Sequence, residues 1–384
     1  MKIIYFTTAI ERDDYKELAK LWKISLNPSN QNFHNKVIRS LALSNEVEVV
    51  SVRPFSPRHC TKKVLEAEDK EEGNIHWHYI RMKGGKIMRQ FNAKKEIAKL
   101  MKRIDTKDAV IISDTINPTV IANANRTKEK YNLPLIGIVT DSPSNISNTP
   151  RSYTMFLLRQ SSNLDGYIAL TPGLNDMFNE NDKPSMLMEG IVEDSDIRQI
   201  QNKYGQYFFF GGALMERYGV YNLIEAFKEL NREDINLVLC GHHGDQKRLK
   251  AAMAKHKNIH FLKMIPVREV LQLEANAFAN INPRPYSQDL DRFSIPSKTI
   301  EYYTSGKLTI STQSTILSKH FASLTLWCGH GKKEEILSAM KKALAMEEDK
   351  REEMGLKAKE KARDLYSLAS INKKLIKFLT QFVK

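Results

Sequence analysis

The residues best equipped for chemistry lie in one short run, SIPSKTIEY, which begins at Ser294. Proline is favoured at the first position of a helix, where its missing N–H would have had no partner, so Pro296 predicts a helix start with the neighbouring serines near the cap. Such a start offers unpaired N–H groups and the positive end of a dipole, a seat for phosphate. Ile295, Ser297 and Thr299 share that first turn, and Lys298 adds a mobile point charge. Glu301, one turn further in, is placed to accept hydrogen bonds from a pair of hydroxyls such as a ribose carries, each worth about 1.5–3 kcal/mol. The helix dipole also favours a nearby glutamate without any ligand, and the run taken alone leaves both readings open.

Other segments offer complementary groups. FFFGGALMERYGV, from Phe208, reads as strand, glycine turn and helix; Gly211 and Gly212 let a backbone or ligand approach closely, and Arg217 lies in the loop where an anion is within reach. In IPVREV, Ile265, Pro266 and Val267 stand between a strand end and a helix, where a flat base can lie against apolar backbone. GIVTD ends a buried strand on Asp141, which either orients a hydroxyl, acts as a base, or caps the following turn. Asp289 and Asp291, in a polar loop, form an Asp-x-Asp pair that reads either as a cation site or as two solvated acids. Cys240 with His242 and His243 sits where a buried strand becomes a turn, so a core cysteine beside two exposed histidines is the reading adopted, not a metal site.

The elements that must position these groups alternate between strand and helix. Strand-like runs start at Lys2, Val47, Ile75, Ala109, Leu133, Gly166 and Ser185, with helical periodicity between most of them, as at Ile97, Leu100, Met101 and Ile104. Several are apolar on both faces, as parallel strands covered by helices are. A second series starts at Tyr207, Ile235, Ile259, Ala279 and Leu308, with helices near 219–232, 246–256, 267–276 and 296–305. The polar stretch 193–206 separates the two series. It favours two doubly wound domains over a (β/α)₈ barrel: residues 1–192, residues 193–365, and a terminal helix at 366–384 packing back on the first domain. The expected class is α/β, two Rossmann-like domains facing a central cleft, with ligands at the carboxyl ends of the strands.

Bulk properties fit this. A chain of 384 residues exceeds one ordinary core. Lys and Arg outnumber Asp and Glu by 59 to 45, a formal charge of +14 that favours an anionic partner. Nucleic acid is the weakest choice, since no zinc finger, basic zipper or RNP-like motif accompanies the charge. Three cysteines outside any CxxC pair suit a reducing compartment. No window supplies about 18 uninterrupted apolar residues, so the expected location is cytoplasmic, with peripheral attachment to the inner face of the plasma membrane as an option. That option rests on residues 81–103, strongly basic and interleaved with Met, Ile, Phe and Leu: its apolar stripe is expected to pack on the sheet, leaving Lys86, Arg89, Lys94 and Lys95 to face anionic lipid.

Taken in order, GGALMERYGV, LVLCG, IPVREV and IPSKTIEYYTSG resemble the carboxyl-terminal domain of retaining GT-B-fold glycosyltransferases, especially family 4-like enzymes that build bacterial surface polysaccharides. The resemblance covers about residues 207–312 and implies a nucleotide-diphosphate-sugar donor, of UDP or GDP type, with no metal or other cofactor. It assigns Glu301 to the ribose, Lys298 and Ser297 with the helix start to the diphosphate, Gly212 and Arg217 to its flank, and Ile265, Pro266 and Val267 to the base. Lys298, Arg217 and Asp141 would then be the catalytic group. In the first domain, 27–42 looks like the segment bordering the cleft, which makes Asn30, Gln31 and His34 acceptor or sugar candidates; capping of a helix by an Asn/Ser-rich loop explains them nearly as well. The pattern departs at Phe293, where many relatives carry a glutamate near the donor sugar; Asp289 or Asp291 is the candidate substitute. It departs again at Ala213 and Tyr218, the places of the usual basic pair. The implied function is sugar transfer to a polysaccharide, glycan or lipid-linked acceptor; the alternative is a GT-B-like nucleotide-binding or partner subunit with impaired catalysis.

Overall fold

The computed structural model describes residues 1–23, 28–143, 150–193, 202–242, 244–254 and 256–383; most of the expected linker, with Asn27 and His243, lies outside them. The chain divides into two compact units, Met1–Ile191 with Leu368–Lys384, and Val192–Ser367.

Among the described residues the first unit has ten strands: β1 (Lys2–Thr7), β2 (Glu46–Ser51), β3 (Val64–Leu65), β4 (Glu68–Glu72), β5 (Ile75–Tyr79), β6 (Met82–Lys83), β7 (Ala109–Asp114), β8 (Leu135–Val139), β9 (Gly166–Ala169) and β10 (Ser185–Leu187). Eight of them form one sheet in the order β10-β9-β8-β7-β1-β2-β5-β4, parallel except for β4. From β5 across to β9 this is the doubly wound order in which consecutive strands run outward on one side of β1 and then on the other, so the order reverses between β1 and β7. All six residues of β7 are buried, as a parallel strand covered on both faces requires.

Helices α1 (Arg12–Lys20), α2 (Pro28–Ala42), α3 (Lys86–Leu100), α4 (Pro118–Tyr131), α5 (Arg151–Ser161) and α6 (Pro172–Phe178) fill the crossovers. Asn117 caps α4 by accepting from the Thr119 and Val120 N–H groups, with Pro118 at the first turn. In α3 the expected packing of the apolar stripe holds only for Ala93, Ile97 and Leu100, which are buried. Ile87, Met88 and Phe91 stand exposed instead. Arg89 is turned inward, its guanidinium donating to the Phe55 carbonyl, so it does not join Lys94 and Lys95 on the outer face.

The second unit repeats the scheme. Strands β11 (Tyr207–Gly211), β12 (Asn236–Cys240), β13 (Ile259–Leu262), β14 (Ala279–Asn282), β15 (Leu308–Ser311) and β16 (Leu326–Trp327) form one parallel sheet in the order β13-β12-β11-β14-β15-β16. Two open sheets replace the barrel considered as an alternative. The order reverses between β11 and β14. Helices α7 (Val220–Leu230), α8 (Gln246–Met253), α9 (Val267–Asn276), α10 (Gln288–Phe293), α11 (Ser297–Thr304), α12 (Thr315–Phe321), α13 (Lys333–Leu344) and α14 (Glu348–Tyr366) connect and cover the strands. The expected polar loop carrying Asp289 and Asp291 is therefore mostly helix, started by Ser287, whose hydroxyl accepts from the Leu290 N–H. One apolar cluster gathers Phe208, Leu237, Ile281 and Ile310 from the strands with Leu223 and Ile336 from α7 and α13.

The last helix, α15 (Leu368–Leu379), belongs to the first unit. Ile371, Leu375, Phe378 and Leu379 are its buried side. The Asn372 amide donates to the Ser40 carbonyl at 2.6 Å and the Ser40 hydroxyl donates to the Leu368 carbonyl at 2.7 Å, tying α15 to α2.

Candidate active site

In the second unit the place where strand order reverses is bounded by the loop after β11 and the loop after β14. One glycine, Gly219, lets these two loops close together, and a second, Gly241, lets the loop after β12 approach the loop after β11. Gly219 has φ +77°, and a Cβ there would fall 1.9 Å from the Pro283 carbonyl oxygen. Gly241 has φ +138°, and a Cβ there would fall 1.9 Å from the Gly212 carbonyl oxygen. Neither position admits a side chain without moving backbone. Gly211 and Gly212, the glycines singled out from sequence, have their N–H groups engaged internally: Gly211 donates to the Tyr302 hydroxyl at 2.9 Å and Gly212 to the Cys240 carbonyl at 2.9 Å. They shape the loop, and their N–H groups do not point at an anion.

Helix α11 opens onto this place. It begins one residue later than the sequence predicts: Pro296 is the N-cap, not the first helical residue, and no side chain caps the helix. The Ser297 N–H turns back to the Ile295 carbonyl and the Thr299 N–H to the Pro296 carbonyl, so these two are taken by local turns. Thr299 is fully buried, its hydroxyl accepting from the Asn282 amide at 2.7 Å and lying 3.0 Å from the Ser311 hydroxyl. Its side chain locks α11 onto β14 and β15 and is not free to meet a ligand. Ser297 is exposed, and Ile295 and Pro296 are half-buried at the helix mouth.

Lys298 and Glu301 are paired, Nζ to Oε2 at 2.6 Å. Burial works against the Lys298 charge, but Glu301 and then Glu274 hold the ammonium well above the usual lysine range. Glu274, on α9 and only 1% exposed, is a group that sequence reasoning missed. Its helix also carries Arg268, Glu269 and Gln272, so nothing in the sequence set Glu274 apart. Arg284 is a second such residue. It follows β14 directly, donates from both terminal nitrogens to the Ser294 hydroxyl at 3.3 and 3.4 Å, and shares a small cavity with Pro296 and Thr312. Arg217 lies on an exposed 3₁₀ turn, Glu216–Tyr218, its guanidinium 4.9 Å over the Tyr218 ring.

At the end of β13, Ile265 is half-buried while Pro266 and Val267 are exposed, with Met264 exposed beside them. Pro266 is the N-cap of α9. The two aspartates of α10 part ways. Asp291 accepts from the Thr315 N–H through both oxygens, at 3.0 and 3.2 Å, and so anchors α12; Asp289 is exposed. Among the described residues no group of three or more His, Cys, Asp or Glu is placed to hold a metal ion. Burial pushes the Cys240 thiol up to about 11, and its sulfur lies 3.6 Å from the Lys263 carbonyl.

In the first unit the reversal between β1 and β7 gathers a different set. Asp114, the last residue of β7 and fully buried, accepts from the Ile116 N–H at 2.9 Å and from the Asn30 amide at 3.3 Å. Asn30 also reaches the Thr8 hydroxyl at 3.4 Å. His34 is fully buried, with Nδ1 2.7 Å from the Tyr5 hydroxyl and Nε2 3.5 Å from Asp114. Burial keeps its pKa low against the opposing pull of Asp114. Gln31 is buried too, accepting from the Ile10 N–H and donating to the Ile10 carbonyl. Of the three candidates from α2, Asn30 alone retains exposure; Gln31 holds α2 against the loop after β1, and His34 holds it against β1 and the end of β7. Asp141, after β8, accepts from its neighbour Ser142 N–H at 2.8 Å, which is the turn-capping role. Asp114 was missed, although a strand of the second half of the series ending in Asp is the signal once strand order is known.

Residues 193–361, nearly all of the second unit, match the model of the family described as glycosyl transferases group 1. Over the whole length the chain shares the GT-B fold of solved structures. It is similar to sucrose-phosphate synthase from Thermosynechococcus elongatus (TM-score 0.65, 12% identity, 99% of each chain covered). It is also similar to Anabaena HepE in complex with UDP (TM-score 0.67, 12% identity, 99% of this chain and 100% of that one). A third is a UDP-forming α,α-trehalose-phosphate synthase from Burkholderia vietnamiensis (TM-score 0.66, 9% identity, 99% and 100%). A comparison with the curated proteins gives no match.

Proposed function

We propose that the chain is a glycosyltransferase that takes a sugar from a nucleotide-diphosphate donor, held by the second unit, and passes it to a glycan or lipid-linked acceptor. The observation that carries this reading is the Lys298–Glu301 pair at the mouth of α11, at the reversal of strand order in the segment that matches a glycosyltransferase family. Among the similar structures, Anabaena HepE is seen in complex with UDP and with UDP-glucose, which supports a uridine donor first and a guanosine donor second.

The arrangement suggests an exchange. A donor diphosphate competes with Glu301 for Lys298, and the carboxylate it releases is then available to the ribose hydroxyls on the same helix. Lys298, the α11 mouth and Arg284 or Arg217 neutralise the departing diphosphate by charge and need no metal for that task. Met264, Pro266 and Val267 offer the base an apolar ledge. Retention at the sugar carbon follows from departure and attack on one face, and Asn30, backed by Asp114, is the acceptor-side group; Asp141 is secondary. The acceptor belongs to a surface polysaccharide or lipid-linked pathway at the cytoplasmic face of a membrane.

Calorimetry with a panel of UDP- and GDP-sugars tests the donor site. Glu301→Ala is expected to weaken binding at least about a hundredfold, two charge-assisted bonds being lost. Unchanged affinity removes the assignment. Turnover that survives a chelator, with the product anomer read by NMR, tests the metal-independent retaining mechanism. Donor binding without hydrolysis or transfer returns the reading of an impaired subunit, which Phe293 in place of a glutamate favours.

A further inference from the structure

Among the described residues none covers the outer side of α3. Ile87 and Phe91 are 72% and 67% exposed, and Met88 beside them is 54% exposed. Ile87, Phe91 and Ala98 recur at helical spacing and share one face. Ala93, Ile97 and Leu100, which pack inward, occupy the opposite one. A helix usually needs a single apolar stripe to fix it to a sheet, so the second stripe is unexplained by folding.

Around the stripe the charges without an ion-pair partner among the described residues are basic. Lys94 and Lys95 are exposed on α3 just beyond Phe91, and neither has an ion-pair partner among the described residues. β3 and β6 pair with Val64 opposite Lys83, which brings exposed Lys62 and Lys63 beside Gly84 and Gly85 at the entry to α3. Exposed Arg58 lies on the same loop, whose Phe55 carbonyl accepts from Arg89. The nearby acids are already engaged: Glu96 with Lys99 at 3.3 Å and Glu66 with Arg81 at 2.8 Å.

We infer that the first two turns of α3 insert into a bilayer of anionic lipid, with Ile87, Met88 and Phe91 entering the headgroup boundary while Lys62, Lys63, Lys94 and Lys95 meet the lipid charge. An apolar face carrying a phenylalanine and flanked by lysines, on a helix with no hydrophobic span, is the composition of an interfacial helix. Among the described residues no helix is long and apolar enough to cross a membrane. The inference deepens the proposed lipid-linked acceptor by naming the element that meets the membrane, and it rests on that reading for its purpose.

The test is flotation of the full chain with vesicles of phosphatidylcholine alone and of phosphatidylcholine mixed with phosphatidylglycerol. Binding is expected only to the mixture, falling with added salt. Ile87→Ser with Phe91→Ser is expected to lower partitioning at least about tenfold, and Lys94→Gln with Lys95→Gln about fivefold per lysine. Leu43→Ser, an exposed leucine elsewhere on the first unit, is expected to change nothing. An environment-sensitive fluorophore on Phe91→Cys should shift to the blue on the mixed vesicles.

Absence of binding to the mixture, binding that survives loss of Ile87 and Phe91, or a fluorophore that stays in water would each overturn the inference. So would a concentration-dependent dimer in sedimentation that the serine variant dissolves, because the stripe would then be covered by a second copy. Thermal melts of each variant guard against unfolding. Nucleotide-sugar calorimetry, read separately, reports on the donor site: vesicle binding can fail while donor binding stands, and the reverse.

Discussion

At Lys298 the ammonium that a phosphate would claim is already held 2.6 Å from a carboxylate of its own helix, and a second, buried carboxylate at Glu274 reinforces the charge. A lysine so placed stays protonated while it changes partners, as the proposed exchange with a diphosphate requires. Behind it, Tyr302 does a quieter task. Its hydroxyl takes the Gly211 N–H and returns a weaker bond to the Gly211 carbonyl, fixing the end of β11 where the glycine loop departs. Tyr302→Phe should leave that N–H buried without a partner and lower stability by about 1–3 kcal/mol. A urea melt checks this, and a variant as stable as the parent would contradict it. Donor affinity should fall less than for Glu301→Ala, because the tyrosine is fully buried and acts only by positioning the loop. The types at Lys298 and Glu301 were readable from sequence because their spacing places them on one helix. Glu274 and Arg284 were not, because their partners come from other elements.

Among elements, β4 is the one that propensity argues against. Its residues are Glu68, Asp69, Lys70, Glu71 and Glu72, yet they pair as an antiparallel edge strand beside β5. An edge tolerates charge, and charge guards it against pairing with other chains. The pairing is held by His78, whose Nδ1 lies 2.8 Å from Asp69 and Nε2 2.7 Å from Glu48 on the other side. Burial opposes the imidazolium, but Glu48 and Asp69 raise its pKa above the ordinary value. A raised base stabilises fully below the unfolded value, about 6.5, and loses that contribution as pH climbs through the folded value. His78→Gln should therefore cost about 1–3 kcal/mol at pH 6 and progressively less toward pH 9. Denaturant melts of both proteins across that range give the answer, and a gap that widens with pH would refute the assignment. Helix α3 shows the converse limit of pattern reading. Its apolar periodicity identifies a helix correctly, but periodicity cannot tell an inward stripe from an outward one when both are present.

At the scale of the whole molecule, the first unit is discontinuous: its last helix arrives only after the entire second unit has been traversed. Leu375 is fully buried in α15, so Leu375→Ala should cost about 2–5 kcal/mol. The loss should appear as faster amide exchange in α15, α2 and β2 while the core of the second unit keeps its protection. Equal loosening of Phe208 and Ile310 would mean that the two units do not unfold separately. Sequence by itself determined the elements: runs apolar on both faces become parallel strands, 3.6-residue periodicity becomes helices, and Pro296, Lys298 and Glu301 lie together because a helix start joins neighbours in the chain. Only the tertiary structure decided which groups from distant elements meet. It brought Asp114 beside Asn30 and Glu274 beside Lys298, turned Gln31, His34 and Thr299 inward, and left Ile87 and Phe91 facing out. Local spacing fixes a residue's face on its own element, whereas its neighbours depend on strand order and packing, which no single segment encodes.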